Sequence, residues 1–137
     1  MTIGIGTSLR DSRLALIKDA IDAGSAESKL QIYSGSRPTT GEEVDEYTNS
    51  LLVEFELPYP CGTVSEGVLT FDSISGVSAI ASGTAVWARL LDADEDFVAD
   101  MSVSDMTGSG DVKIDSVELV IGDSISCTLA TITEGNS

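Results

Sequence analysis

From Lys29 onward the apolar residues of this chain recur with a period of two, and turn residues interrupt them at short intervals. That pattern constrains the fold most, because side chains alternate between the two faces of a strand. Leu30 and Ile32 alternate with Lys29, Gln31 and Tyr33. Leu51, Val53, Phe55 and Leu57 alternate with Leu52, Glu54 and Glu56. Pro58-Tyr59-Pro60 ends that second strand, since proline cannot donate to a ladder. Gly67 to Phe71 reads as a short strand, and residues 74–83 are small with Ile74, Val77 and Ile80 spaced through them. Thr84 to Leu91 carries the only tryptophan, Trp87, and its place in an alternating strand predicts packing in the core.

Asp92 to Asp96 reads as a turn, with Phe97 to Val103 returning and Phe97, Ala99, Met101 and Val103 expected on one face. Gly108-Ser109-Gly110-Asp111 makes another turn. Val117 to Ile121 and Ser124 to Thr133 flank Gly122-Asp123, a two-residue hairpin signal. Ile125, Cys127 and Leu129 are expected to share a face.

The N-terminal part has a different period. Leu9, Leu16, Ile17, Ala20 and Ile21 recur at helical spacing as one apolar stripe, with Arg10, Arg13 and Lys18 away from it. Ser8 and Asp11 resemble a capping box, and Gly24 is a natural stop. The spacing predicts a helix over 9–23, preceded by a flexible arm, residues 1–8. One helix and about eight strands predict a mainly β fold. The expected form is an antiparallel β-sandwich, jelly-roll-like, with one N-terminal α-helix packed on it. Residues 9–137 are expected to form a single domain. The apolar fraction of 42% is too high for a disordered chain.

Charge narrows the function. The chain has 23 acidic residues, seven basic ones and no histidine, for a net charge of -16. Without histidine there is no Ser-His or Cys-His nucleophile pair and no imidazole ligand. A surface this acidic repels nucleic acid and anionic membranes, so neither is expected as a partner. Met1 to Ile5 shows no basic stretch followed by an apolar one, so no signal peptide is expected. Cys61 and Cys127 read as two buried thiols, and a zinc site would need more cysteine or histidine than the chain contains.

Few constellations suggest chemistry. Asp92, Asp94 and Asp96 begin like a calcium loop. An EF-hand needs glycine at its sixth position and glutamate at its twelfth, but here those are Phe97 and Val103. The three aspartates therefore remain only a weak candidate cation site on an exposed hairpin tip. No pair of carboxylates is marked out for glycoside hydrolysis, and aromatics for a sugar platform are scarce. Gly108-Ser109-Gly110 does not supply a nucleophile elbow. The chain is therefore not expected to be an enzyme, and no cofactor is expected. Three of the seven basic residues, Arg10, Arg13 and Lys18, fall on the helix and are candidates for partner binding. Arg37, in a Gly-Ser-Arg-Pro turn, is a fourth, or else fastens its loop to a carboxylate.

Several segments together carry a resemblance. They are Lys29 to Pro38, Gly67 to Phe71, Ser82 to Asp92, Asp100 to Val103, Gly108 to Asp111 and Ser124 to Ser126. In this order the chain resembles a family of small structural proteins of tailed bacteriophages and prophages, over residues 9 to about 133. It departs from that pattern in a longer acidic hairpin at Asp94-Glu95-Asp96. The resemblance implies a virion component assembled in the host cytoplasm. The leading expectation is a capsid decoration (cement) protein that binds the major capsid protein or another virion protein. A homo-oligomer is expected, with a trimer favoured. The alternatives are a tail, baseplate or fibre-attachment component, or a receptor- or carbohydrate-binding module.

Overall fold

The computed structural model describes residues 6–23, 27–39, 41–44 and 48–133. Among the described residues one helix, α1 (Thr7–Ile21), precedes the strands. These begin with β1 (Lys29–Tyr33), β2 (Leu51–Glu56), β3 (Gly62–Ser65) and β4 (Val68–Phe71). The short strands β5 (Val77–Ser78) and β6 (Gly83–Thr84) follow, then β7 (Trp87–Leu91) and β8 (Phe97–Ser104). The last are β9 (Val112–Ile114), β10 (Glu118–Leu119), β11 (Ser124–Ile125) and β12 (Cys127–Thr133). The protein is mainly β, as the period of two predicts.

Eight strands form one sheet in the order β2-β1-β7-β8-β9-β12-β4-β3, and the sheet curls into a half-barrel. Its two halves meet at a narrow seam. Only Val103↔Val112 and Ser104↔Lys113 join β8 to β9, and this pair is parallel, unlike every other pair in the sheet. Parallel neighbours normally need a long crossover. Here the chain steps sideways through residues 105–111 and continues in the same direction. Asp105 holds the step by accepting from the N–H groups of Thr107 (3.0 Å) and Gly108 (3.1 Å). A Cβ on Gly110 would lie 2.6 Å from the Ser104 nitrogen, so the loop closes this tightly only with glycine there. The turn expected at Gly108 to Asp111 is present, but it shifts the strand sideways and does not reverse it.

The core lines one face of the sheet. Ladder neighbours Val53, Ile32, Ala88 and Met101 lie in one row, and Phe55, Leu30, Leu90 and Ala99 in the next. All belong to or pack against the main apolar cluster. Three bulges change which side chains join it. The one between Ile32 and Tyr33 leaves Leu52 of β2 without a partner in β1 and buries it in the core, while Leu51, expected on the core face, is only half-buried. Leu90 pairs with Ala99 but Leu91 pairs with Phe97, so an extra residue enters β8. One extra residue reverses the facing of everything beyond it. Phe97 therefore leaves the face of Ala99 and Met101 and lies over Arg89. A third shift between Cys127 and Leu129 leaves Leu129 exposed and buries Ala130. The common face expected for Ile125, Cys127 and Leu129 is broken there.

The Gly122-Asp123 turn forms, with Gly122 at φ +91, but its flanking strands do not pair with each other. Instead β10 pairs with β6 and β11 with β5. Both ladders share one register, with four residues between Ser78 and Gly83 and four between Leu119 and Ser124. In between, Ala79 donates to Asp123 O and Gly122 donates to Ala79 O. Residues 77–85 and 117–125 thus form one interrupted ribbon. It lies against the β2 edge, where Ile80 N–H donates to Leu52 O.

The helix is fastened at both ends. Gly6 is its N-cap and no side chain caps it; Ser8 lies inside the helix, so the expected capping box does not form. Asp11 instead accepts from the Gly67 N–H at 2.6 Å, in the β3–β4 turn. At the other end Asp22 accepts from the Cys61 N–H at 3.0 Å. These two contacts set the helix's rotation on β3 and β4. Leu14, Ile17 and Ile21 turn inward, while Leu9 (56% exposed), Leu16 (70%) and Ala20 face solvent. The predicted stripe is therefore split between opposite faces. Thr7 and Ser8 belong to the helix and not to an arm, and the helix ends at Ile21. The rest of the arm that can be placed begins at Gly6; residues 1–5 and Gly24 lie outside the described residues.

Candidate functional site

The four basic candidates divide into two pairs. Arg10 and Lys18 sit on the inward-facing side of α1, contrary to the expected placement away from the buried stripe. The Arg10 guanidinium closes over Gly67, where a Cβ would lie 2.6 Å from Nη1, and Nη2 donates to Thr7 Oγ1 at 3.1 Å. Lys18 Nζ pairs with Asp22 at 2.9 Å, and that hydrogen bond pushes the lysine pKa up. Arg13 and Arg37 are exposed. The expectation that Arg37 fastens its loop to a carboxylate is not met: among the described residues it makes no ion pair. Asn49 does that work instead. Its buried amide donates to Ser34 O and Ser36 O, both at 2.9 Å.

The acidic hairpin is structural at its base. Asp92 is buried, and Oδ1 accepts from the N–H groups of Asp94 and Asp96, both at 2.9 Å. Its oxygen is committed to the turn, while Asp94 and Asp96 are exposed. Glu95 pairs with Lys29 at 3.2 Å. Among the described residues, no group of three or more Cys, Asp or Glu side chains is arranged to hold a metal ion. The candidate site at Asp92, Asp94 and Asp96 thus gains no support from the fold.

The face of β1, β7 and β8 opposite the core is built from aromatic and charged groups. Tyr33 stacks on Trp87 at 4.6 Å between ring centroids. Arg89 lies 5.3 Å from the Trp87 ring and 5.2 Å from Phe97, and pairs with Asp100 through Nε (2.8 Å) and Nη2 (3.1 Å). Gly41 N–H donates to Asp100 at 3.2 Å, drawing the polar loop across this layer. Trp87 is buried as expected, at 1% exposure, but beneath this loop and outside the main core cluster. Its indole N–H finds no hydrogen-bond partner among the described residues. Tyr33, Trp87 and Arg89 in this layer are buried, while Phe97 at its margin is 40% exposed.

The thiols are inert in character. Burial pushes Cys61 up to about 12 and Cys127 up to about 11, so neither is a thiolate near neutrality. A groove of about 460 Å³ beside β2 is lined by Glu27, Glu54, Glu56, Ser75 and Val77. Glu54 in it already accepts from Gln31 at 2.8 Å. Among the described residues no helix is long and apolar enough to cross a membrane.

What remains are exposed apolar groups. Leu9 and Leu16 flank Arg13 on the outer side of α1. Ile80 (54% exposed), Val120 (57%) and Ile121 (64%) are each exposed in the stretch where the ribbon's ladder is interrupted. Sequence reasoning missed this second patch because Val117 to Ile121 reads as a strand with a buried face. The signal that could have found it is the pair Val120-Ile121: two successive apolar residues cannot both face one core. The chain matches no protein-family model, no curated protein and no solved structure.

Proposed function

We propose that this chain is a bacteriophage virion structural protein, a capsid decoration (cement) protein that binds the head surface as an oligomer. The observation that carries this reading is an exposed apolar helix face with Arg13 at its centre on a body of net charge -16. Such a face suits a protein contact, and the acidic body suits a solvent-facing outer surface. In this reading the curled sheet is a jelly-roll-like sandwich that serves as a rigid spacer. The resemblance to small virion proteins of tailed phages supports the same assignment.

The test is reconstitution on particles of the phage or prophage that encodes the chain. Heads and tails lacking the protein are separated, mixed with purified protein and sedimented. Binding to heads, with matching density on the head lattice by electron microscopy, is the expected result. Binding to tails alone would make it a tail or baseplate component. Binding to neither overturns a virion role.

A further inference from the structure

We infer that the outer edge of β2 takes up an extended, basic segment of a partner protein as an added strand. The inference stands apart from the virion role, and no particle is needed to test it.

β2 is the outermost strand of the eight-stranded sheet and pairs on one side with β1. Leu57 N–H donates to Ser28 O. By the alternation of an antiparallel ladder, the backbone groups of Val53 and Phe55 also point at β1, and those of Leu52, Glu54 and Glu56 point outward. The ribbon closes only the start of this edge. Ile80 N–H donates to Leu52 O, and among the described residues no further backbone hydrogen bond reaches the outer edge of β2 beyond it. A groove of about 460 Å³ opens there, lined by Glu27, Glu54, Glu56, Ser75 and Val77. An edge whose N–H and C=O groups are left to water is a template for one more strand.

Charge decides what that strand can be. Glu54 and Glu56 stand on one face of β2, about 7 Å apart. Lys29 reaches Glu54 at 3.8 Å, but its shorter pair is with Glu95 at 3.2 Å. Glu27 and Glu56 make no ion pair among the described residues. Acidic side chains on an edge repel a second copy of the same edge, yet leave the backbone open to a strand of opposite charge. An added strand places residues two positions apart opposite Glu54 and Glu56. Lys or Arg at those two positions answers both carboxylates, and a third basic residue reaches Glu27. No two of this chain's seven basic residues stand two positions apart, so the segment belongs to another protein. Backbone pairing supplies the affinity in such a contact, and the alternating charges supply the choice of partner.

The test uses a capped, fluorescent Thr-Lys-Val-Lys-Val-Lys-Thr peptide, titrated against the full chain by anisotropy. A second peptide of the same sequence carries N-methyl groups on alternate amides along its pairing edge. Saturable binding of the first peptide is expected, with shifts of the Glu54 and Glu56 amide resonances. The methylated peptide keeps every charge but loses ladder hydrogen bonds, and should bind at least about tenfold more weakly. Glu56→Lys and Glu27→Lys are both at exposed positions, and circular dichroism confirms their fold. Glu56→Lys sets like charges against each other and should weaken the first peptide by at least about tenfold, with Glu27→Lys acting in the same direction. No binding by the wild type overturns the inference. Equal binding of the methylated peptide also overturns it, because attraction to an acidic surface then needs no strand. Unchanged binding by both variants, or resonance shifts that avoid β2, places the contact elsewhere and has the same meaning.

Discussion

Strand β7 is buried on both sides, and the two sides are built by different physics. Toward the core, Ala88 and Leu90 pack among Leu30, Ile32, Met101 and Ala99, where burial of apolar area is the stabilising term. On the other side Trp87 and Arg89 lie under a polar loop, in a layer of stacked rings and one ion pair. The Arg89 and Asp100 side chains are only 9% and 0% exposed. The first side tolerates change in proportion to volume lost. The second depends on complete pairing, because an unpartnered buried charge is costly.

The largest expected effect tests that contrast directly. Asp100→Ala should cost about 3–5 kcal/mol in urea unfolding, since it strands the Arg89 guanidinium. The double change Arg89→Met with Asp100→Leu should recover most of this. If the double variant is no better than the single, the layer is held by something besides charge pairing. On the core side, Leu90→Ala should cost about 2–5 kcal/mol with no such rescue by a neighbour. A value near zero would mean that the β1–β7–β8 face is loosely packed.

Gly35→Ala addresses the loop that covers the charged layer. Gly35 has φ +80, and a Cβ there would lie 2.0 Å from Thr48 O. A loss of about 1–3 kcal/mol is expected, with Trp87 fluorescence shifting to the red as the loop loosens. An unchanged spectrum would show that the loop does not shield the indole. The smallest effect concerns Cys61. Its folded pKa, pushed up to about 12, exceeds the ordinary thiol value of 9.0. Stability from keeping this thiol neutral is fully present below about pH 9 and is lost as pH rises toward 12. Cys61→Ala should therefore flatten the alkaline decline in stability between those values. An identical decline in the variant would assign it to other groups.

Much of the strand pattern was legible because alternation reports directly on a two-faced sheet. Leu30, Ile32, Val53 and Phe55 face the core where their spacing puts them. The errors fall at identifiable places. Phe97 and Leu129 each lie beyond a bulge, and a single inserted residue inverts the alternation without changing composition. Gly122-Asp123 is a turn, but its flanks pair with a segment some forty residues earlier. Turn chemistry does not encode a distant partner. In the candidate site, Arg13 and Arg37 are exposed as a partner-binding role requires, while Arg10 and Lys18 are taken up by the protein's own fold.

The amino-acid sequence by itself determined a mainly β chain with one leading helix, its turns, its acidity and most of its core. These depend on local period and composition, which each segment carries alone. Only the tertiary structure decided which of two apolar stripes on α1 is buried, where the sheet steps sideways between β8 and β9, and which apolar groups stay in solvent. Those outcomes depend on contacts between residues far apart in the chain, such as Asp11 with Gly67 and Asp22 with Cys61. Two such hydrogen bonds set the rotation of a whole helix, and no local period contains them.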